Sequence, residues 1–311
     1  MNIEEFDFNV FFDEHVKAKK YAKSFPYQCC CPGCDKKAIK SHLMQQHPIL
    51  ESICDEKNSL LQMVDNDIDP RSGNWDFYNR QKVGITNAFQ CKLFCSKHDT
   101  ILFKKIENQN SIPKSKKDCL LIAFRAACAV RYQEERRLHV YEKLREMRGL
   151  KSPLEDNSLA FIQRMNAVVN NLWSAINGLE DEYYVFRMIA MPKIGIAASD
   201  CMTDEKDLEE HILDENYDKP LNSLFINLIP LGDKLFLLLG CDTRYDKNEE
   251  FKRIITNFPT GDISSDVHLK TLKGILLKCK NWCCSPALLD EDDWKSFFEE
   301  YEELKVRSTL K

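Results

Sequence analysis

The chain has 311 residues, of which 30% are charged and 43% are hydrophobic, with only 10 glycines and 11 prolines. This composition is typical of folded globular proteins and excludes the disordered and fibrous classes. No apolar run approaches the length of a membrane span, so the sequence predicts a soluble protein.

The net charge of −5 is divided unevenly between the two halves of the chain. Residues 1–150 contain 25 basic and 20 acidic residues, whereas residues 151–311 contain 19 basic and 29 acidic ones. A mildly basic N-terminal half can meet an anionic partner such as DNA or RNA, and an acidic C-terminal half can dock a protein. A solvated surface without a partner accounts for the same counts.

Fourteen cysteines are many for a chain of this length. The N-terminal residues Met1 to Glu5 lack the apolar stretch of a signal peptide, which predicts a cytoplasmic protein. Reduced thiols or metal ligation are therefore favoured over a disulfide scaffold.

The first elements in chain order are a lead-in over residues 1–26, helical or irregular, and a stretch rich in Cys and His from Cys29 to His98. That stretch holds seven of the 14 cysteines and predicts a small module stapled by metal. Two amphipathic helices follow at 118–148 and about 157–177, with Ser152-Pro153 expected to end the first. The basic residues of the first helix lie among glutamates, which favours a salt-bridged solvent face over phosphate binding.

The periodicity changes after Gly178, where three short apolar segments predict a small antiparallel sheet. They cover 183–191, 224–229 and 235–239, and the last two are joined by a hairpin turn at 230–233. Helices are predicted at 247–257, 266–281 and 290–306. The fold class is α+β, with a zinc-knuckle domain at 1–115, a helical connector at 116–180 and an α+β domain at 181–311. Cys279, Cys283 and Cys284 are expected to be ordinary buried thiols.

The strongest chemical signal is a pair of two-ligand knuckles, Cys31-x-x-Cys34 and Cys95-x-x-His98. Two such knuckles from distant parts of a chain complete the tetrahedron that Zn²⁺ prefers, so Cys31, Cys34, Cys95 and His98 are the predicted ligands. Cys29, Cys30, Cys91 and His42 remain alternatives for one of these positions. The competing interpretation is that the thiols are ordinary buried residues and the chain is a scaffold without metal.

The region from Cys31 to Asp99 resembles the zinc-stapled members of the HNH, or ββα-metal, nuclease family, through the two knuckles, His42 and Asn87. The resemblance implies a treble-clef-like ββα module in which the knuckles hold a structural zinc. It implies His42 as general base, Asn87 as an orienting residue, and Asp99 at the position of the ligand for a catalytic Mg²⁺ or Mn²⁺. The segment also resembles uncharacterised bacterial zinc-knuckle proteins that have a Phe-Cys-x-x-His-Asp motif.

The chain departs from the HNH pattern at the catalytic metal. Asp99 stands where the family has a metal-binding His, and Leu102 or Phe103 falls where a further ligand is usual. The leading hypothesis is a metal-dependent endonuclease, which the resemblance implies as an effector in a bacterial defence system. The alternative is a non-catalytic zinc-stabilised binding protein whose acidic C-terminal half docks a partner.

Overall fold

The chain folds into a mixture of helices and strands, which confirms the predicted α+β class. The computed structural model describes residues 8–65, 78–108, 112–203, 219–244, 249–258 and 265–309. The helices are α1 (Phe8–Ser24), α2 (Ser96–Glu107), α3 (Lys116–Arg148), α4 (Pro153–Ile176), α5 (Glu249–Asn257), α6 (Ser265–Leu276) and α7 (Asp292–Thr309). Short helical turns cover Gln46–Leu50, Glu51–Ile53, Asp181–Tyr183 and Pro286–Asp290.

The strands form two separate sheets in which all pairs are antiparallel. They are β1 (Ile39–His42), β2 (Ser59–Asp65), β3 (Tyr78–Gly84), β4 (Gln90–Phe94), β5 (Tyr184–Pro192), β6 (Ile196–Thr203), β7 (Ser223–Leu231), β8 (Lys234–Asp242) and β9 (Trp282–Cys284). A two-stranded sheet pairs β1 with β4. The other strands form one seven-stranded sheet in the order β3-β2-β9-β6-β7-β8-β5.

The three predicted strands of the C-terminal half coincide with β5, β7 and β8, except that Tyr183 belongs to the helical turn before β5. The predicted hairpin is confirmed, because Leu231 pairs with Lys234 across a two-residue turn. Gly232 has a φ of 61° in that turn, a conformation that glycine adopts without strain. The predictions missed β6 and β9, which are short or carry polar residues and so lack a clear alternation.

Helix α3 occupies the centre of the molecule and contacts α1, α4, β4 and the strands β6, β7 and β8. Its middle turns are rich in alanine, and Ala123, Ala126, Ala127 and Ala129 are fully buried. Small side chains let neighbouring backbones approach closely while the helix keeps its intrinsic stability. The helix therefore packs against the large sheet on one side and the Cys- and His-rich segment on another.

The limits of α3 are set by local capping. The Ser115 hydroxyl accepts a hydrogen bond from the Asp118 amide at 3.2 Å, and Gly149 ends the helix with a φ of 71°. The expectation that Ser152-Pro153 ends this helix was wrong. Ser152 instead caps α4 and Pro153 is its first residue, where the missing amide N–H of proline costs nothing.

A buried polar link joins α3 to the large sheet. The Asp200 carboxylate on β6 accepts hydrogen bonds from the backbone amides of Cys201, Lys280 and Asn281. Asn281 also hydrogen-bonds to the side chain of Gln133 on α3. Asp200 is 2% exposed, so these donors replace the water that the buried carboxylate has lost.

The large sheet contains strands from both ends of the chain. Leu61 and Gln62 of β2 pair with Cys284 and Cys283 of β9. The proposed division at residues 115 and 180 stays a prediction, but its first and third parts share one sheet. Residues 247 and 248, which begin a predicted helix, lie outside the described residues.

Candidate metal centre

Four side chains with metal-binding atoms meet at the junction of two distant chain segments: Cys29, Cys34, Cys95 and His98. Their ligand atoms all lie within 4.8 Å of one another. The Cys29 Sγ is 3.3 Å from the His98 Nδ1, and the Cys34 Sγ is 3.9 Å from the Cys95 Sγ. Four ligands held about 2.3 Å from one ion are separated by about 4 Å in a tetrahedron, so this tetrad has the dimensions of a zinc site.

A tight turn positions the first two members of the tetrad. Gln28 bridges to Lys37, and the Cys29 amide donates to the Lys36 carbonyl at 2.8 Å. Within the turn, Gly33 has a φ of 78° and the Cys34 amide donates to the Cys31 carbonyl at 3.0 Å. The turn therefore brings Cys34 back beside Cys29.

The start of α2 positions the other two members. Cys95 follows β4 directly and is the residue that precedes the first turn of α2, and His98 lies within that turn. The Phe94 ring packs against Phe103 of α2 and Phe124 of α3, with ring centroids 5.1 and 5.8 Å apart. This aromatic packing fixes the beginning of α2 against the core.

The surroundings of the tetrad shift the pKa values of its two buried thiols, Cys29 and Cys95, in opposite directions. Burial raises the pKa of Cys29 to about 11. At Cys95 burial acts in the same direction, but hydrogen bonds from the backbone amides of His98 and Lys97, together with the thiols of Cys29 and Cys34, lower the pKa overall. Amides at a helix start stabilise negative charge, which suits a thiolate ligand.

The predicted ligand Cys31 lies outside the tetrad, and Cys29 stands in its place. Cys31 is 2% exposed. Burial is the main cause that raises the pKa of its thiol, and the neighbouring Cys29 raises it further. The Cys31 carbonyl closes the turn onto Cys34, while the pairing of Cys29 with Lys36 brings the Cys29 thiol towards α2. The sequence alone left Cys29 as an alternative ligand, since the run Cys29-Cys30-Cys31 offers three candidates.

Two other alternative ligands lie in the core. Cys30 is hydrogen-bonded to the Cys128 thiol of α3, and this contact lowers its pKa. Cys91 is 8% exposed, and burial raises its pKa to about 12.

Cys279, Cys283 and Cys284 are almost completely buried, as expected. Within the described residues, the tetrad is the one group of three or more Cys, His, Asp or Glu side chains with metal-site spacing.

The predicted base His42 ends β1 and lies beside the turn that contains Asn87. The His42 Nε2 is 3.1 Å from the Thr86 carbonyl oxygen and 2.7 Å from the Gln46 Nε2. The Gln90 Nε2 also lies 3.3 Å from the same nitrogen. A protonated Nε2 donates to the Thr86 carbonyl, whereas an unprotonated Nε2 accepts from the Gln46 and Gln90 amides. Asn87 is exposed in the turn between β3 and β4.

Asp99, the predicted ligand of a catalytic metal, lies in the first turn of α2 next to a buried arginine. Burial lowers the pKa of Arg125, and the carboxylates of Glu107 and Asp99 act against that shift. The Arg125 Nη2 donates to Glu107 at 3.0 Å, and its guanidinium lies 3.6 Å from the Phe103 ring centroid. Asp99, Phe103 and Glu107 thus form one face of α2 that packs against Arg125.

No hydrogen bond or ion pair connects His42 with Asp99 within the part of the chain that the structure describes. The structure brings His42 and the Asn87 turn together, whereas Asp99 lies beside Arg125. The catalytic assignment of these three residues stays a prediction.

None of the helices in the described ranges is both long enough and apolar enough to cross a membrane. No protein-family model matches the chain, and neither a curated protein nor a solved structure is a significant match to it.

Proposed function

We propose that Cys29, Cys34, Cys95 and His98 bind one structural Zn²⁺ and that the chain is a zinc-stabilised binding protein. The observation that carries this proposal is the convergence of four soft ligand atoms, from two segments, within 4.8 Å of one another. Three thiolates and one imidazole form a donor set that zinc accepts readily.

The role of the zinc is structural because the protein supplies all four ligands. A catalytic zinc keeps one position open for water or substrate, whereas a closed tetrahedron holds chain segments together. The proposal of a treble-clef-like module is supported by the order of the turn at 29–34, an antiparallel strand pair and the start of α2, with β2 and β3 inserted between the paired strands β1 and β4. In this proposal the ion adds a cross-link to the buried core that this segment shares with α3.

The metal content of the purified full chain tests this proposal. We expect about one Zn²⁺ per chain, and we expect a chelator to lower the melting temperature, because metal binding and folding are coupled. Protein that contains no zinc, and whose melting temperature a chelator leaves unchanged, would contradict it.

HNH-like cleavage of nucleic acid is the second candidate, and the position of His42 favours it. His42 ends the first strand of a strand–strand–helix arrangement and contacts the turn that carries Asn87. Phosphodiester hydrolysis needs a base for the attacking water and a cation at the leaving oxygen. His42 is the proposed base, and Asp99 is the proposed ligand for Mg²⁺ or Mn²⁺, which prefer oxygen.

A cleavage assay separates the two candidates. Supercoiled plasmid and RNA are incubated with the zinc-loaded protein and Mg²⁺ or Mn²⁺, and wild type is compared with His42→Ala. Cleavage that is lost in the variant supports the nuclease, and cleavage retained in the variant contradicts the assignment of His42. The absence of cleavage by wild-type protein leaves the non-catalytic binding role as the function.

A further inference from the structure

The outer face of the two-stranded sheet carries an uninterrupted set of polar side chains. Lys40 of β1 lies directly opposite Lys92 of β4, and His42 lies opposite Gln90. Because alternate residues of a strand share a face, these four side chains lie on one side of the sheet. Ser41, between them, is 1% exposed and lies on the opposite, buried side. We name the outer side the cationic face.

Two further cations surround the lysine pair. Burial lowers the pKa of Lys92, and the positive charges of Lys37, Arg136 and Lys40 lower it further. Lys92 donates hydrogen bonds to the carbonyl oxygens of Lys23 and Phe25 at 2.8 and 3.0 Å, which holds its ammonium group in place. Like charges directly opposite each other destabilise a strand pair, so this arrangement costs stability in the isolated chain.

These cations differ from the other basic residues nearby in having no acidic partner. On α3, carboxylates form ion pairs with Arg125, Arg131, Arg137, Arg145 and Arg148. Arg136 is the arginine of this helix that has no carboxylate partner among the described residues, and its Nε is buried without a hydrogen-bond acceptor. Lys37, Lys40 and Lys92 also have no ion pair within the described ranges.

We infer that the cationic face binds the phosphodiester backbone of a nucleic acid. Phosphate oxygens supply the acceptors that Lys37 and Lys40 lack, and Lys and Gln side chains are usual donors to phosphate. A protein partner fits less well, because protein interfaces centre on buried apolar or aromatic anchors, whereas Lys40, His42, Gln90 and Lys92 are all polar.

The proposed catalytic residue His42 lies close to the lysine pair on the cationic face. His42 follows Lys40 by two residues, which is about 7 Å along an extended strand. A backbone that runs along β1 from the Lys40–Lys92 pair would pass His42 and the turn of Asn87. The inference rests on the proposed zinc-stabilised binding role, because the turn at 29–34 precedes β1 and the tetrad ties this turn to the end of β4.

The test is a binding titration of the zinc-loaded full chain with short fluorescein-labelled duplex DNA and single-stranded RNA, without added Mg²⁺ or Mn²⁺. The variant Lys37→Gln/Lys40→Gln removes two exposed cations: Lys40 lies on the cationic face, and Lys37 lies just before β1. The variant Lys270→Gln/Lys295→Gln is the matched control, since it removes two exposed cations from α6 and α7. Zinc content and melting temperature are measured for each protein.

We expect wild type and the control to bind with the same affinity and the Lys37/Lys40 variant to bind at least fivefold more weakly. Between about 50 and 200 mM salt, loss of two phosphate contacts should reduce the slope of log affinity against log salt by about 1.8 for duplex DNA.

Three results would overturn the inference. They are equal binding by the Lys37/Lys40 and Lys270/Lys295 variants, no salt-dependent binding by wild type, or tighter binding to polyglutamate than to either nucleic acid. Failure of the zinc proposal gives a different result, a chain without zinc, and is detected before any titration.

Discussion

The Cys29 Sγ lies 3.3 Å from the His98 Nδ1, although 69 positions of sequence separate the two residues. A metal ion held between them closes the long loop that contains β1, β2, β3 and β4. Closing a loop of this length removes many conformations from the unfolded chain, which stabilises the folded state. Cys29 is also the one residue by which the tetrad differs from the ligand set that the sequence favoured, which had Cys31 in its place.

The first prediction concerns the choice between Cys29 and Cys31. Cys29→Ser should lower zinc affinity by more than tenfold, because loss of outer-sphere partners alone costs 10–100-fold and a direct ligand costs more. Cys31→Ser should keep about one zinc per chain. Zinc stoichiometry and competition with a chromogenic chelator measure both. A Cys31 variant without zinc beside a Cys29 variant with zinc would restore the original ligand assignment.

The second prediction concerns Glu107, the carboxylate that contacts Arg125. Glu107→Gln should lower the free energy of unfolding by about 1–3 kcal/mol, because a buried guanidinium loses a charge-assisted hydrogen bond. Glu142→Gln is the control, since Glu142 has a similar exposure of 38% against 36% but pairs with His139. Urea denaturation measures the free energy of unfolding of both variants. Equal losses would show that the contact between Glu107 and Arg125 contributes no more than an ordinary surface ion pair.

The third prediction concerns Asp200, which accepts amide hydrogen bonds from residues 80 and 81 positions later. Asp200→Asn should cost about 2–4 kcal/mol, because the amide group turns part of an acceptor into a donor facing other donors. Asp233→Asn, in the exposed β7–β8 turn, is the control and should change stability by less than about 0.5 kcal/mol. A small effect at Asp200 would mean that water replaces the lost contacts.

The fourth prediction concerns pH and Asp118, which is 1% exposed near the start of α3. Burial raises the pKa of Asp118, but hydrogen bonds from the Lys114 amide, Lys105 and Ser115 lower it below its usual value. A lowered folded-state pKa stabilises the fold above the unfolded-state pKa, which is about 3.9 for aspartate. That stabilisation is lost as the pH falls through the lower, folded-state value.

Wild type should therefore be more stable than Asp118→Asn by a constant amount above about pH 5, and the difference should shrink towards lower pH. Urea denaturation between neutral and acid pH measures the difference. A gap that stays constant down to the lowest accessible pH would show that the carboxylate of Asp118 has the same pKa in both states.

The elements that the sequence predicted well are those specified by local pattern. The periodicity of α3 and α4 and the turn at Gly232 depend on neighbouring residues, and the structure shows all three. The predicted salt-bridged face is also confirmed, through pairs such as Arg137 with Glu134 and Lys143 with Glu146.

The features that the sequence missed depend on distant partners. Strand β9 has three buried residues and exists because β2 and β6 pair with its two edges. The choice of Cys29 over Cys31 depends on how the turn at 29–34 meets α2, which residue spacing does not determine. The role of Asp99 beside Arg125 requires the packing of α2 on α3, which no local pattern contains.

The pairing of β2 with β9 has a consequence for any attempt to divide the protein. A fragment that stops at residue 115 would present the edge of β2 to solvent, because its partner residues Cys283 and Cys284 come from the far end of the chain. Uncovered strand edges recruit other strands, so such a fragment should aggregate even when it is loaded with zinc. The four proposed metal ligands are encoded before residue 100, yet the completed N-terminal fold is reached only after nearly the whole chain has been synthesised.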